Sequence, residues 1–247
     1  MRFYIVDRRK ARKRALLLVI AALLFAGGMY SLYNGRSQPV FMGQPVYHGD
    51  SRYNEIALTF NVFWGEEYIP GLLDILKENN VKATFFMGGI WVKKFPGITQ
   101  NIQRGGNEIG SHGYSHPHPD SLSKSANLKE IQKAEALIYQ VTGTRPKLFA
   151  PPYGERGPAV LQAAGEAGYN TILWSVDTID WQRPAPETIV SRVLNKAENG
   201  TIVLMHPTGP TVQALPEMIK SLREKGYNFV TVSGMLEHLH TEDTGSQ

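Results

Sequence analysis

Between residues 56 and 232 the chain alternates two patterns of apolar and polar positions. Short runs rich in β-branched and aromatic residues (IALTF 56–60, ATFFMG 83–88, EIGS 108–111, KLFA 147–150, TILWSV 171–176, TIVLMH 201–206 and NFVTV 228–232) are predicted strands. The intervening stretches 69–80, 126–143, 159–168, 186–200 and 214–226 carry apolar positions at helical spacing, and several close on glycine, a helix-terminating signal. Strands alternating with helices imply an α/β fold, a parallel sheet covered on its outside. For this length a barrel closed or nearly closed on itself suits seven strands better than an open sheet. Chemistry in such folds sits on the loops after the C-terminal strand ends.

The first 52 residues break the pattern. Residues 1–14 hold seven Lys or Arg against Asp7, a local charge of +6, and residues 15–33 are uncharged and apolar. About 20 apolar residues span a bilayer, and a basic run ahead of them stays in the cytoplasm. The pattern predicts a basic cytoplasmic segment (1–14), a single transmembrane helix (15–33), a Gly/Pro/polar linker (34–52), a folded domain (53–236) and a polar tail (237–247). A cleaved signal peptide is the other reading of 15–33, but no clear A-x-A site follows it. The expected location is the cell membrane, single-pass, with the C-terminal domain outside the cytoplasm. The net charge of +4 leaves −2 for the rest of the chain, and a mildly acidic body does not suit nucleic acid. The chain has no cysteine, so disulfides and thiolate chemistry are excluded.

Unusual residues gather at the predicted strand ends. In GSHGYSHPH, His112 and His116 are four apart and would face one way if the segment turned helically, which suits a divalent metal such as Zn²⁺. An isolated pair at this spacing is more often two solvated loop histidines. Its place after a strand, beside Ser111 and Ser115, shifts the reading toward ligands. In FAPPYG two prolines stiffen a wall, and Tyr153 offers a ring and an N–H suited to an oxyanion. In WSVDTIDW, Asp180 either caps the following helix or holds an imidazole in its tautomer, and Trp181 can stack on a sugar ring. His206, at the end of TIVLMH, has an apolar approach that suits general acid work. The first strand instead runs into ALTFNVFWG, where an amide (Asn61) and Val62 occupy the turn.

In order, KATFFMGG, GGNEIGSHGYSHP, FAPPYG, WSVDTIDW and TIVLMHP resemble the motifs of the polysaccharide deacetylase family, the chitooligosaccharide deacetylase-like enzymes of carbohydrate esterase family four. The resemblance covers about residues 53–236 and looks nearest to membrane-anchored, sporulation-associated members of Gram-positive bacteria. It implies a distorted (β/α)₇ barrel and metal-dependent removal of N-acetyl groups from cell-wall glycan. His112 and His116 match metal ligands and Asp180 and His206 the acid-side pair. Tyr153 matches a catalytic and substrate-contacting position, and Trp181 the sugar-stacking one. The family's Thr-Phe-Asp-Asp-Gly supplies a general base and then a third metal ligand; here these are Asn61 and Val62. The family's Arg before Pro-Pro-Tyr, which braces the base, is Ala150. Glu66, Glu67 and Asp177 are candidate replacement carboxylates.

Two functions are compatible with this pattern. One is a membrane-anchored deacetylase of cell-wall glycan, metal-assisted by a weakly bound divalent ion, with a reassigned base. The other is a catalytically inactive relative that binds glycan or a cell-wall or sporulation partner; another metal-assisted hydrolysis, such as ester cleavage, stays open. If 15–33 is an uncleaved anchor, mass spectrometry of the membrane-extracted native protein will find residues 1–33 attached. A mature chain starting near residue 30 or later would rule that out.

Overall fold

A computed structural model describes residues 44–239. Eight strands form one sheet in the order β5-β4-β3-β2-β1-β7-β6, with β8 beside β1 and every pair parallel. The strands are β1 (Glu55–Val62), β2 (Thr84–Met87), β3 (Glu108–Ser111), β4 (Leu148–Phe149), β5 (Asn170–Thr171), β6 (Val176–Asp177), β7 (Thr201–Met205) and β8 (Asn228–Val230). Parallel strands need crossovers, and helices supply them. They are α1 (Ile69–Glu78), α2 (Gly89–Lys94), α3 (Pro96–Arg104), α4 (Lys124–Thr142), α5 (Pro158–Glu166), α6 (Pro186–Leu194), α7 (Gly209–Glu224) and α8 (Val232–Leu239). This is the α/β architecture of a (β/α)₇-type half-barrel.

β1 lies at the centre, with Thr59–Val62 paired to β2 and Ile56–Phe60 paired to β7. Phe60 and its cross-strand partner Phe85 stack at 4.8 Å inside the core, a contact worth about 0.5–1.5 kcal/mol beyond its buried area. The segment ahead of β1 also joins the sheet. Val46 bridges Ile172 and His48 bridges Thr201, so part of the stretch expected as a linker spans from the β5 edge to β7.

Capping explains the longest helices. Ser123 Oγ accepts from the Ala126 N–H and starts α4, and Gly143, at φ +71°, ends it. Thr208 Oγ1 accepts from the Thr211 N–H and starts α7 five residues ahead of the expected start at 214. Three differences from the sequence pattern have local causes. TILWSV is not one strand: β5 ends at Thr171 and β6 begins at Val176, because residues 172–175 leave β4 and turn toward β7, where the Ser175 N–H donates to Ile202. α2 and α3 were hidden by their short length, each opening on Gly or Pro. α8 runs into the segment expected as a polar tail because Val232, Met235 and Leu236 share a buried face.

Among the described residues no helix is long and apolar enough to cross a membrane. The predicted transmembrane helix at 15–33, and the basic segment before it, lie outside the described residues.

A polar cluster closes the end opposite the strand tips. Thr84 Oγ1 donates to Glu108 Oε2 (2.8 Å) and accepts from the Val232 N–H (2.9 Å), while the Ser233 N–H reaches Glu108 (3.2 Å). Burial pushes the Glu108 carboxyl above the ordinary glutamate value, and these donors offset it only in part. The folded state therefore holds the Glu108 proton to higher pH than the unfolded chain does. Stability is lost as pH rises from the ordinary carboxylate range through the raised value. Glu108→Gln keeps an acceptor and removes the titration. Urea denaturation across that window should show the variant gaining stability relative to wild type as pH rises; a constant difference would contradict the assignment.

Candidate active site

The C-terminal ends of β1, β3, β4, β6 and β7 converge on a cleft of about 480 Å³. Asn61 lines it from the end of β1, Phe63 and Trp64 from the loop after it, His112 and His116 from the loop after β3, and Tyr153 and Gly154 from the loop after β4. Trp174, Asp177 and Trp181 come from the β5–β6 segment and its following loop, and Leu204 and His206 from β7 and its end.

The buried end of β1 leaves little room for polar chemistry. Asn61 is 6% exposed and Val62 is fully buried. Two close approaches fix the path of the loop beyond it. A Cβ on Gly88 would lie 2.3 Å from the Phe63 ring, so glycine there lets that ring close onto β2. Gly65 has φ +80°, and a Cβ on it would meet the Pro207 carbonyl at 2.2 Å, so the loops after β1 and β7 touch through bare backbone.

His112 and His116 are brought together, by a route other than the expected helical turn. His116 sits at φ +58°, a left-handed residue that reverses the loop after β3, and the two ring centroids end 4.9 Å apart at 69°. His112 is 2% exposed and its Nδ1 lies 2.7 Å from the Ala150 carbonyl. A carbonyl only accepts, so Nδ1 carries the hydrogen and Nε2 keeps its lone pair. Burial, then the neighbouring His116, lowers the His112 pKa to about 3. Burial lowers His116 as well. Both rings are thus held in the neutral form that a metal ligand needs.

Tyr153 is 57% exposed at φ +59°. His118 stacks on it at 4.0 Å and 9°, and His116 meets it edge-on at 4.8 Å. His118 itself is at the exposed rim, its Nδ1 paired with Glu155 (2.7 Å).

Asp180 holds an imidazole rather than serving mainly as a cap. It is fully buried; Oδ1 lies 2.8 Å from His206 Nδ1, and Oδ2 accepts from the His206 N–H and from Thr211 Oγ1, both at 2.6 Å. His206 Nδ1 is the donor to that carboxylate, so Nε2 is the ring nitrogen that this bond leaves available at the cleft. Trp181, 52% exposed, comes next on the same turn. Ile179 and Arg183 flank the turn, both at φ +53°. Of the candidate replacement carboxylates, Asp177 lines the cleft and Glu66 and Glu67 do not. Sequence reasoning missed three lining aromatics, Phe63, Trp64 and Trp174. The adjacent Phe63-Trp64 pair directly after a buried strand was the available signal.

The polysaccharide deacetylase family profile matches residues 48–172. A peptidoglycan-N-acetylglucosamine deacetylase of Bacillus cereus is 37% identical over 197 residues, covering 78% of this chain and 72% of that protein. An uncharacterised protein of Bacillus subtilis is 41% identical over 194 residues, and the chain spans only 61% of its length. Among solved structures, a CE4 family pseudoenzyme from Bacillus anthracis superposes with a TM-score of 0.77 at 41% identity, covering 78% of this chain and 69% of that one. A mutant of the same protein, described as having restored enzymatic activity, gives the same TM-score at 39% identity, covering 78% and 71%.

The metal set implied by the resemblance is two His and a carboxylate. Among the described residues no three His, Cys, Asp or Glu side chains group so as to hold a metal ion, and Val62, at the third position, has no donor atom. The residues present do not fit that centre. Two neutral imidazoles are a weak site by themselves. In equilibrium dialysis the full-length chain should retain Zn²⁺ at well below one equivalent once free metal is low, and His112→Ala/His116→Ala should lose what remains. Equal retention by wild type and double variant would show that these histidines are not the ligands.

Proposed function

The chain belongs to the polysaccharide deacetylase family, and from that membership we propose that its cleft binds amino-sugar glycan of the bacterial cell wall while its hydrolysis of N-acetyl groups is impaired. One observation carries the second half: a buried amide, Asn61, beside a fully buried Val62 at the end of β1, where the family motif supplies base and ligand. An amide does not take a proton near neutral pH, and loss of a general base costs about 10²–10⁴ in rate. Ala150, in the bracing position, offers no cation to a restored base. Glycan binding is supported by the exposed rings of Trp181 and Tyr153 at the mouth and by the similarity to a protein named for peptidoglycan. The apolar segment 15–33 supports attachment to the cell membrane, with the folded domain outside the cytoplasm. Any divalent ion is transient, held through His112 and His116.

A second reading keeps catalysis with a reassigned base. It rests on Asp177, a carboxylate lining the same cleft as Asn61.

Restoration separates the two. Asn61→Asp returns the base, Val62→Asp the third ligand and Ala150→Arg the brace. These groups act as a unit, and a buried Asp without its partners carries a desolvation cost, so single changes should do little. With Zn²⁺ supplied, the triple variant should release acetate from acetylated chitooligosaccharides at least roughly tenfold faster than wild type, a modest share of what a positioned base supplies. A wild type as fast as the triple variant, and silenced by Asp177→Asn, would establish the second reading instead.

A further inference from the structure

Aromatic rings dominate the lining of the cleft. After β1, Phe63 lies against His116 at 4.8 Å, and Trp64 stacks parallel to His206 at 5.8 Å and 5°. Tyr153, Trp174 and Trp181 bring the lining aromatics to five. Against them stands one lining carboxylate, Asp177, and among the described residues no lysine or arginine lines the cleft.

The carboxylate is aimed. Asp177 Oδ1 accepts from the Ile179 N–H at 2.8 Å, and that short turn depends on Ile179 sitting at φ +53°. A β-branched residue in the left-handed region is strained, and such strain persists where the surroundings over-determine it, commonly at ligand sites. The Thr178 hydroxyl tied to the Leu204 carbonyl (2.7 Å) and Arg192 bound to the Thr178 carbonyl (2.6 Å) hold the turn from two sides.

His112, His116 and His206 also line the cleft, but among the described residues no lysine or arginine there gives this half-buried carboxylate a fixed positive partner. Its desolvation is offset best by a ligand that brings a positive charge. Ring faces attract the same charge through their quadrupoles. A neutral acetamido group can offer Asp177 one N–H and a ring its methyl, but it brings no positive charge to either. An ammonium gains from both, through a charge-assisted hydrogen bond and the ring faces. Within the glycan-binding reading, on which this rests, we propose that the cleft selects a de-N-acetylated hexosamine unit, its protonated amine paired with Asp177 and set among the lining rings. The protein would then recognise the product of deacetylation in a glycan chain rather than perform the step.

Tryptophan fluorescence of the full-length chain, titrated in mildly acidic buffer at physiological ionic strength with fully deacetylated and fully acetylated chitotetraose, tests this. The deacetylated oligomer should bind at least roughly tenfold tighter, a conservative share of a cation–π contact plus a charge-assisted hydrogen bond. Asp177→Asn should bring the ratio of affinities near one. Trp181→Leu, which removes an exposed ring and spares the core, should lower it. Glu67→Gln, on an exposed carboxylate outside the cleft, should leave it unchanged. A ratio of one or less with the acetylated oligomer still bound overturns the proposal and leaves the glycan reading standing. A preference that survives Asp177→Asn also overturns it, as attraction to the acidic body at large. Failure of both oligomers to bind sinks the glycan reading and the proposal together.

Discussion

Strand β1 is paired on both edges and buried along seven of its eight residues. Whatever stands at its C-terminal end is therefore out of water before any ligand arrives. A carboxylate in such a place needs a cation or a full set of hydrogen-bond donors, because an unpaired buried charge costs several kcal/mol. Asn61, Val62 and Ala150 form a consistent set under that constraint. An amide and an aliphatic side chain occupy this place without an uncompensated charge.

The acid side is different because its hydrogen bonds are structural in their own right. Asp180 is fully buried, and both of its oxygens are used. It takes the backbone and the ring of His206 and the hydroxyl of Thr211 at the start of α7. Removing it would orphan donors on β7's end and on a helix, at about 1–3 kcal/mol for each buried group left unpaired. Retention of Asp180 and His206 is thus explained by folding, and is not by itself a sign of turnover. The exposed rings at the mouth have no such role in the core. Trp181 and Tyr153 cover little buried surface, so contact with something outside the domain is the better account of them.

Much of the fold was legible because hydrophobic period is a local property. The β-rich runs at 56–60, 83–88, 108–111 and 201–206 became β1, β2, β3 and β7 with small changes at their ends. The alternation of strands with helices required parallel pairing, and parallel pairing puts all strand tips on one rim. That is why His112, His116, Asp180 and His206 could be read as neighbours. What failed locally was TILWSV, a continuous apolar run with nothing in its period to mark where the chain leaves one strand for another.

Residue order was enough to specify which side chains arrive at the rim. Who faces whom was set by three-dimensional packing. His112 and His116 meet through a left-handed residue and not a helical turn. Trp64 lies on His206 because bare backbone at Gly65 lets two loops touch. Asp177, and neither Glu66 nor Glu67, lines the cleft because a strained turn at Ile179 directs it. Each is a contact or orientation set by backbone reversal and by approach of segments distant along the chain. A period along the chain records which face of an element is apolar; it carries no information about which distant face comes to lie against it.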